Sequence, residues 1–109
     1  NETVGYIVME GGTASVDGMT ITAATGSDSV KGMGDAPSYD YSITPQGILS
    51  SVVLGVPGLD GGDGCWAVHF ATPSQSFLSL AVDEDQIKDS ERRHTPEPVS
   101  YLMIERNSL

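Results

Sequence analysis

The sequence predicts an all-β protein, an antiparallel β-sandwich of about six to eight strands, and three features of the chain support this prediction. Short segments rich in β-branched and aromatic residues recur about every ten residues. Clusters of glycine, proline, aspartate and serine separate these segments, as turns between strands require. The sequence shows no periodic apolar stripe that would hold an amphipathic helix on a core. A single sheet closed on itself is the alternative architecture.

The first quarter of the chain is expected to contribute a strand and a hairpin. Thr3 to Glu10 is β-branched and aromatic and ends at a glycine pair, which predicts a strand followed by a turn. Thr13 to Ala24 keeps this composition, and Asp17-Gly18 lies within it as a strong turn signal. This second segment therefore predicts a β-hairpin.

The next part of the chain begins irregularly and continues as an alternating strand. Residues 25–37 are rich in glycine, serine and aspartate and predict a surface loop, with one short strand near Val30. Ser38 to Thr44 alternates between larger apolar and polar side chains, the pattern of a strand with one buried face. The buried face is predicted to carry Tyr39, Tyr41 and Ile43.

Two further strands are predicted on either side of a loop rich in glycine and aspartate. Ile48 to Val56 is almost continuously apolar, which favours a central strand covered on both faces. Cys65 to Ala71 alternates in side-chain size and predicts another strand. The face expected to look into the core carries Trp66, Val68 and Phe70.

The chain is expected to close with a strand, a polar segment and a last strand. Phe77 to Val82 predicts the first of these strands. Its inward side chains are expected to be Leu78, Leu80 and Val82. Asp83 to Pro98 is polar and offers a helix no apolar stripe, so we expect an ordered loop. Val99 to Glu105 predicts the final strand.

A nine-residue segment occurs twice, at residues 2–10 and 97–105. Aligned at an offset of 95 residues, the copies share four identities and three apolar replacements of similar volume. The identical pairs are Glu2 and Glu97, Val4 and Val99, Tyr6 and Tyr101, and Glu10 and Glu105. This spacing predicts that residues 1–109 form a single module of a tandem array. Chance similarity between short apolar strands is the alternative. If both copies are strands of one sandwich, both tyrosine rings should be buried.

Length and charge restrict the classes of partner. A chain of 109 residues has the size of one domain. The formal net charge of −10, with five lysine and arginine residues, leaves no basic face for a nucleic-acid backbone or an anionic membrane. No apolar run approaches the roughly 20 residues of a transmembrane helix. Such acidity suits an extracellular protein, secreted or on a cell surface, or a protein that binds divalent cations.

The densest charge cluster lies in the polar segment before the last strand. Its five carboxylates fall within nine residues and could converge as oxygen ligands for Ca²⁺. The candidate calcium ligands are Asp83, Glu84, Asp85, Asp89 and Glu91. Their spacing does not match an EF-hand loop. A solvated charged loop, partly neutralised by neighbouring lysine and arginine, is the alternative.

A glycine-rich loop bearing two carboxylates precedes the single tryptophan of the chain. Carboxylates accept hydrogen bonds from sugar hydroxyl groups, while an aromatic face packs on the apolar side of a sugar ring. The predicted carbohydrate contacts are therefore Asp60, Asp63 and Trp66. A long connection beside a core tryptophan is the alternative, because Trp66 shares the face assigned to the core.

Recognisable catalytic motifs are absent from the sequence, and no catalytic residue is predicted. The two histidines, His69 and His94, have no third ligand at a zinc-site spacing. His94 is expected to make a structural contact with Glu97 or Glu91. Cys65, as a lone cysteine beside a glycine, is expected to be a small buried hydrophobe.

From Val52 onward the order of features is similar to a known family. An apolar V-V-L strand precedes a G-G-D loop, and a later strand runs into D-E-D-Q. D-S-E-x-x-H-T-x-E then leads into V-x-Y-L-x-I-E. This order, over residues 52–105, resembles modules repeated in large secreted or surface proteins, which in turn look like H-type lectins. The resemblance implies a compact antiparallel β-sandwich, often trimeric, that binds N-acetylgalactosamine-type sugars. It implies no individual binding residue, because the sugar-binding positions of those lectins do not match here.

The function expected from the sequence is non-enzymatic carbohydrate binding by a lectin-like module, with a glycan as partner and calcium as a candidate ion. The alternative is a structural repeat of an adhesin-like or fibrous extracellular protein, stiffened by calcium. The partners of such a repeat would be neighbouring copies of the same module, within one chain or in a homo-oligomer. A glycan array recorded with and without calcium separates the two hypotheses.

Overall fold

The computed structural model of the protein describes residues 1–87 and 89–107. Within this part of the chain there are seven β-strands and no helix. The strands are β1 (Gly12–Val16), β2 (Met19–Thr25), β3 (Tyr39–Ser42), β4 (Ile48–Gly55), β5 (Cys65–His69), β6 (Phe77–Glu84) and β7 (Ser100–Arg106).

The described strands form two antiparallel sheets, which confirms the predicted all-β fold. The larger sheet has the order β1-β2-β7-β4, and the smaller has the order β3-β6-β5. β7 pairs along its whole length with β2 on one side and β4 on the other. β6 holds the corresponding central position in the smaller sheet.

Side chains from both sheets meet in one buried cluster. It consists of Val30, Tyr41, Ile43, Leu78, Leu80, Val82, Val99 and Met103. The three β6 members alternate along their strand, as predicted, because successive side chains point to opposite faces. Each is completely buried, and burial of a large aliphatic side chain stabilises the fold by about 1.5–3 kcal/mol.

Tyr41 anchors the loop before β3 to the beginning of β7. Its hydroxyl donates to the carbonyl oxygen of Ser27 at 2.5 Å and accepts from the backbone N–H of Val99 at 3.1 Å. Both capacities of the buried phenol are therefore satisfied. Gly26 makes this arrangement sterically feasible, because a Cβ atom at that position would overlap the Tyr41 ring.

The predicted hairpin is confirmed. β1 and β2 pair from Gly12 opposite Ala23 to Val16 opposite Met19. The two turn residues between them, Asp17 and Gly18, have φ values of 47° and 78°. Positive φ at both central residues is the geometry that an Asp-Gly hairpin turn favours. The short strand predicted near Val30 is not formed; Val30 instead makes an isolated antiparallel bridge with Glu97.

The predicted strand over Thr3 to Glu10 is wrong. Residues 1–10 form no strand, and the side chain of Tyr6 is 84% exposed. Tyr101, its counterpart in the second copy, is partly buried and packs 6.3 Å from the Tyr41 ring centroid. The reason lies in the pairing: β2 and β4 are both already bonded to the second copy, so this chain offers the first copy no equivalent neighbours.

The expectation that Ile48 to Val56 is a central strand is also wrong. Among the described strands, β4 pairs with β7 alone and forms an edge of the larger sheet. Its side chains alternate, with Val52 and Leu54 against the core and Val53 55% exposed. A continuous apolar run therefore marks a half-buried edge strand here.

The face assignment for β5 is a further correction. Pairing places Ala67 opposite Val82 and Trp66 opposite Asp83. Because Val82 is fixed in the core, Ala67 shares its inward face and Trp66 lies on the outer face, where it is 48% exposed. Two small residues, Cys65 and Ala67, pack on the core instead of the large ones.

Candidate functional site

Four carboxylates line one cleft at the end of the β5–β6 pair. The cleft has a volume of about 300 Å³ and is formed by Gly62, Asp63, Gly64, Glu84, Asp85 and Asp89. We call these six residues the acidic cleft. It joins the loop before β5 to the end of β6 and the polar segment beyond it.

Glu97 fixes the loop that forms one wall of the acidic cleft. Its side chain is completely buried, and its carboxylate accepts the backbone N–H groups of Asp60 at 2.9 Å and Gly61 at 3.0 Å. Desolvation opposes ionisation of this carboxyl group, but the Gly61 and Asp60 hydrogen bonds, with His94, hold its pKa below the ordinary value. A buried charge is thus balanced by fixed donors.

The His94 ring forms a clamp between β6 and the start of β7. Nδ1 lies 3.2 Å from Oε1 of Glu84, and Nε2 lies 3.0 Å from Oε1 of Glu97. The predicted contact with Glu97 is therefore confirmed, whereas the second partner is Glu84. Both contacts are donor–acceptor pairs only when the imidazole carries two protons. In that form His94 bridges two carboxylates inside the protein, where its own side chain is 3% exposed.

Gly61 packs directly on this clamp. A Cβ atom at residue 61 would lie 2.7 Å from Cε1 and 2.8 Å from Nε2 of His94. Glycine at this position therefore lets the loop approach close enough to donate its N–H group to Glu97.

Two ion pairs hold the polar segment against the sheet and the loop before β3. Arg92 donates to both carboxylate oxygens of Asp83, at 2.9 and 2.6 Å, and the Arg92 hydrogen bond lowers the pKa of Asp83. Arg93 donates to Asp35 at 2.9 Å, which likewise lowers the pKa of that carboxyl group. Bidentate geometry makes the Arg92 pair the more specific of the two.

Cys65, His94 and Glu97 each place a potential metal-ligand atom within 4.8 Å of the others. Sulfur, imidazole and carboxylate together suit zinc better than calcium. Burial first, and then the nearby charges of Glu97 and Glu84, raise the pKa of the Cys65 thiol, which favours its neutral form. With both His94 nitrogens facing carboxylates, the arrangement is that of a hydrogen-bonded clamp.

The predicted carbohydrate contacts are dispersed around this corner of the molecule. Asp63 lines the acidic cleft, and Trp66 lies on the outer face of β5. Asp60 is exposed, and its carboxyl group lies near Asp28, whose pKa is raised by desolvation and then by the Asp60 charge. Of the three residues, Asp63 alone lines the acidic cleft.

The predicted calcium ligands are divided in the same way. Glu84, Asp85 and Asp89 line the acidic cleft together with Asp63. Asp83 points to the outer face and is paired with Arg92. Glu91 lines a different depression, beside Arg93 and Lys31. The structure thus brings together members of two sets that were predicted separately.

Glu105 and Glu97 have structural roles that the sequence patterns did not predict, apart from a histidine contact for Glu97. Both are buried, with exposures of 1% and 0%. Glu105 accepts the backbone N–H groups of Gln46 and Gly47 at 2.5 and 2.7 Å. Glu97, before β7, and Glu105, near its end, therefore each bind the backbone of a separate loop. Their identity in both repeat copies was the available signal, because glutamate at a strand end is otherwise read as exposed.

Comparisons of the chain with models of protein families, with curated proteins and with solved structures gave no match. In the part of the chain that the structure describes, no helix is long and apolar enough to cross a membrane.

Proposed function

We propose that this protein is a non-enzymatic carbohydrate-binding module of a secreted or surface protein, as the resemblance to H-type lectins implies. The observation that supports it most is the outward position of Trp66, two residues beyond Gly64 of the acidic cleft. The exposed indole provides a face for the apolar side of a sugar ring. The cleft provides carboxylate acceptors for sugar hydroxyl groups.

Trp66 and the acidic cleft are close to each other along the chain. Trp66 follows Gly64, a residue of the cleft, by two positions, which corresponds to about 7 Å of extended chain. A ligand stacked on the indole would reach Asp63 by extending past the beginning of β5.

A glycan array, recorded with calcium and with a chelator, tests the proposal. We expect a saccharide ligand whose titration changes the fluorescence of Trp66. Trp66→Ala and Asp63→Ala should each weaken its binding at least tenfold, a loss of about 1.4 kcal/mol. Phe70→Ala is the matched control, because Phe70 is an equally exposed aromatic residue just beyond the end of β5 and does not line the cleft. An array without any ligand would contradict the proposal.

Calcium binding is the second part of the proposal, now centred on the acidic cleft. Four carboxylates around one opening supply the oxygen ligands that Ca²⁺ prefers. Millimolar calcium should raise the melting temperature, because a ligand that binds only the folded state stabilises it. Asp89→Asn should reduce that shift, while Asp40→Asn, an exposed aspartate on β3, should leave it unchanged. Melting curves that respond to neither calcium nor chelator would exclude a stabilising ion.

A structural role as an assembly repeat is the second candidate function. One observation favours it: the large apolar side chains of residues 2–10 are exposed to solvent. A surface of this kind usually marks a contact with another protein. The two candidate functions are compatible, since residues 2–10 do not line the acidic cleft.

A further inference from the structure

Residues 2–10 have the composition of a buried strand but lie in solvent. The side chains of Val4, Tyr6, Ile7 and Val8 are between 77% and 84% exposed. Their backbone takes no part in either sheet. An apolar, β-branched segment in this state gains both backbone hydrogen bonds and buried area when it joins a sheet.

The fold shows which position in a sheet this segment matches. When residues 2–10 are aligned with residues 97–105, the four identical residues fall at positions where the side chain is buried or packed on the core. Glu2 and Glu10 correspond to Glu97 and Glu105, the two buried glutamates that bind loop N–H groups. Val4 corresponds to Val99, which is completely buried, and Tyr6 to Tyr101, which packs against Tyr41.

Three of the five remaining positions agree with the same match. Ile7, Val8 and Met9 replace Leu102, Met103 and Ile104 with apolar side chains of similar volume, which sheets and cores tolerate. Gly5 replaces Ser100, whose hydroxyl contacts that of Thr25 at the exposed end of the strand pair. This hydrogen bond is the one polar contact among the described residues of the strand that the first copy would lose.

The segment cannot take this position in its own chain. With Glu10 at the position of Glu105 it would lie beside Thr20, whereas Gly12 pairs with Ala23. Those two points are separated by two strand spacings and three residues of rise, roughly 14 Å. The two residues from Glu10 to Gly12 span at most about 7 Å. The chain's own β7 also already occupies the position.

We infer that residues 2–10 form the seventh strand of a second copy of this fold, between the β2 and β4 of a copy in which residues 97–105 leave that position open. Glu2 and Glu10 bind its two loops, as Glu97 and Glu105 do here. Since β1 begins at Gly12, the last strand of one module leads into the first strand of the next with a single intervening residue. This inference gives the assembly role a defined contact and does not depend on carbohydrate binding.

A strand exchange within the full chain tests whether the segment fits. Pro98→Thr, Ser100→Gly, Leu102→Ile, Met103→Val and Ile104→Met together give residues 97–105 the sequence of residues 2–10. We expect this variant to keep a single cooperative melting transition. In the matched control, residues 97–105 are replaced by the sequence of residues 3–10 followed by glutamate. Each side chain of the segment is thereby shifted by one position. A one-residue shift turns every side chain to the other face, so the control should lose that transition.

A second experiment tests whether the partner is another copy. Val99→Asp with Met103→Asp in the full chain prevents β7 from seating, because both side chains are buried. We expect head-to-tail oligomers in light scattering, larger at higher protein concentration, in which residues 2–10 of one copy fill the next. Adding Val4→Asp and Val8→Asp should return the protein to monomers. The inference is overturned if the in-register exchange melts like its shifted control. Oligomers that are absent, or that persist in the fourfold variant, also overturn it.

Discussion

The carboxylate of Glu97 holds together loops that the sequence alone predicts to be exposed to solvent. Two backbone donors and His94 surround it, and no water-accessible surface remains on its side chain. Buried charges persist only where such donors are fixed in advance. The charge of Glu97 therefore holds the loop of residues 59–64 in the position that shapes the acidic cleft.

Replacement of Glu97 by glutamine removes the charge while keeping the size of the side chain. We expect the free energy of unfolding to fall by about 2–3 kcal/mol, because charge-assisted hydrogen bonds are lost and an amide N–H faces a backbone donor. Urea unfolding at neutral pH measures this. The control is Glu91→Gln at an exposed site, which should change stability by less than about 0.5 kcal/mol. Equal losses of stability in the two variants would show that the hydrogen bonds of Glu97 do not stabilise the fold.

Two neighbouring glycines make a second, steric test of the same corner. Gly61→Ala should destabilise the protein by about 1–3 kcal/mol, because the added methyl group collides with the buried His94 ring. Gly62→Ala meets no heavy atom within 4 Å and should be close to neutral. Thermal melting of both variants separates the two cases. If Gly61→Ala is as stable as Gly62→Ala, the loop does not pack on His94.

At the scale of elements, β7 is the strand on which the larger sheet depends. It pairs with two neighbours along its whole length and carries Met103 and Glu105 into buried positions. The edge strands β1 and β4 each depend on one neighbour among the described strands. Loss of packing along β7 should therefore be felt throughout the sheet.

The two copies of the repeat provide an internal comparison of identical tyrosines. Tyr101→Ala should lower the free energy of unfolding by about 3 kcal/mol, since it removes an aromatic ring that packs on the core. Tyr6→Ala should change it by less than about 0.5 kcal/mol, because that ring is exposed. Denaturant titration of the monomer tests both. A large cost at Tyr6 would place residues 2–10 within the module's own core.

At the scale of the whole molecule, acidity has two opposite effects on stability. The net charge of −10 creates repulsion that weakens as acid neutralises exposed carboxylates. Paired carboxylates act in the other direction. The pKa values of Asp35, Asp83 and Glu97 are lowered in the folded state, so their contributions are present above the unfolded pKa of about 4 and are lost as the pH falls through the folded values.

A single pair isolates this pH dependence from the overall repulsion. Asp83→Asn should lower stability at pH 7 by about 1 kcal/mol or less, since Arg92 is partly exposed and its charge is screened by solvent. The difference from the unsubstituted protein should shrink as the pH falls below about 4, where Asp83 itself becomes protonated. Denaturant unfolding of both proteins at several pH values measures this difference in the free energy of unfolding. A difference that widens in acid would reverse the assigned direction of the Asp83 pKa.

Local patterns in the sequence determined most of the strands of this fold. The Asp-Gly turn, the alternation over β3 and the spacing of Leu78, Leu80 and Val82 specified elements that the structure contains, because each depends on turn chemistry or on a period of two residues. The all-β class followed from their sum. Asp63, Glu84, Asp85 and Asp89 were also identified beforehand, although not as one group.

Tertiary structure alone decided which strands are central, which faces are buried and which carboxylates meet. The segment at residues 2–10 has a β-strand sequence yet forms no strand, because the neighbours it matches are already paired with β7. Trp66 points outward because its partner on β6 is Asp83, a pairing that no property of Trp66 encodes. Strand partners and buried charges depend on contacts between residues distant in sequence. A pattern within one segment cannot specify them, whereas the assembled sheets do.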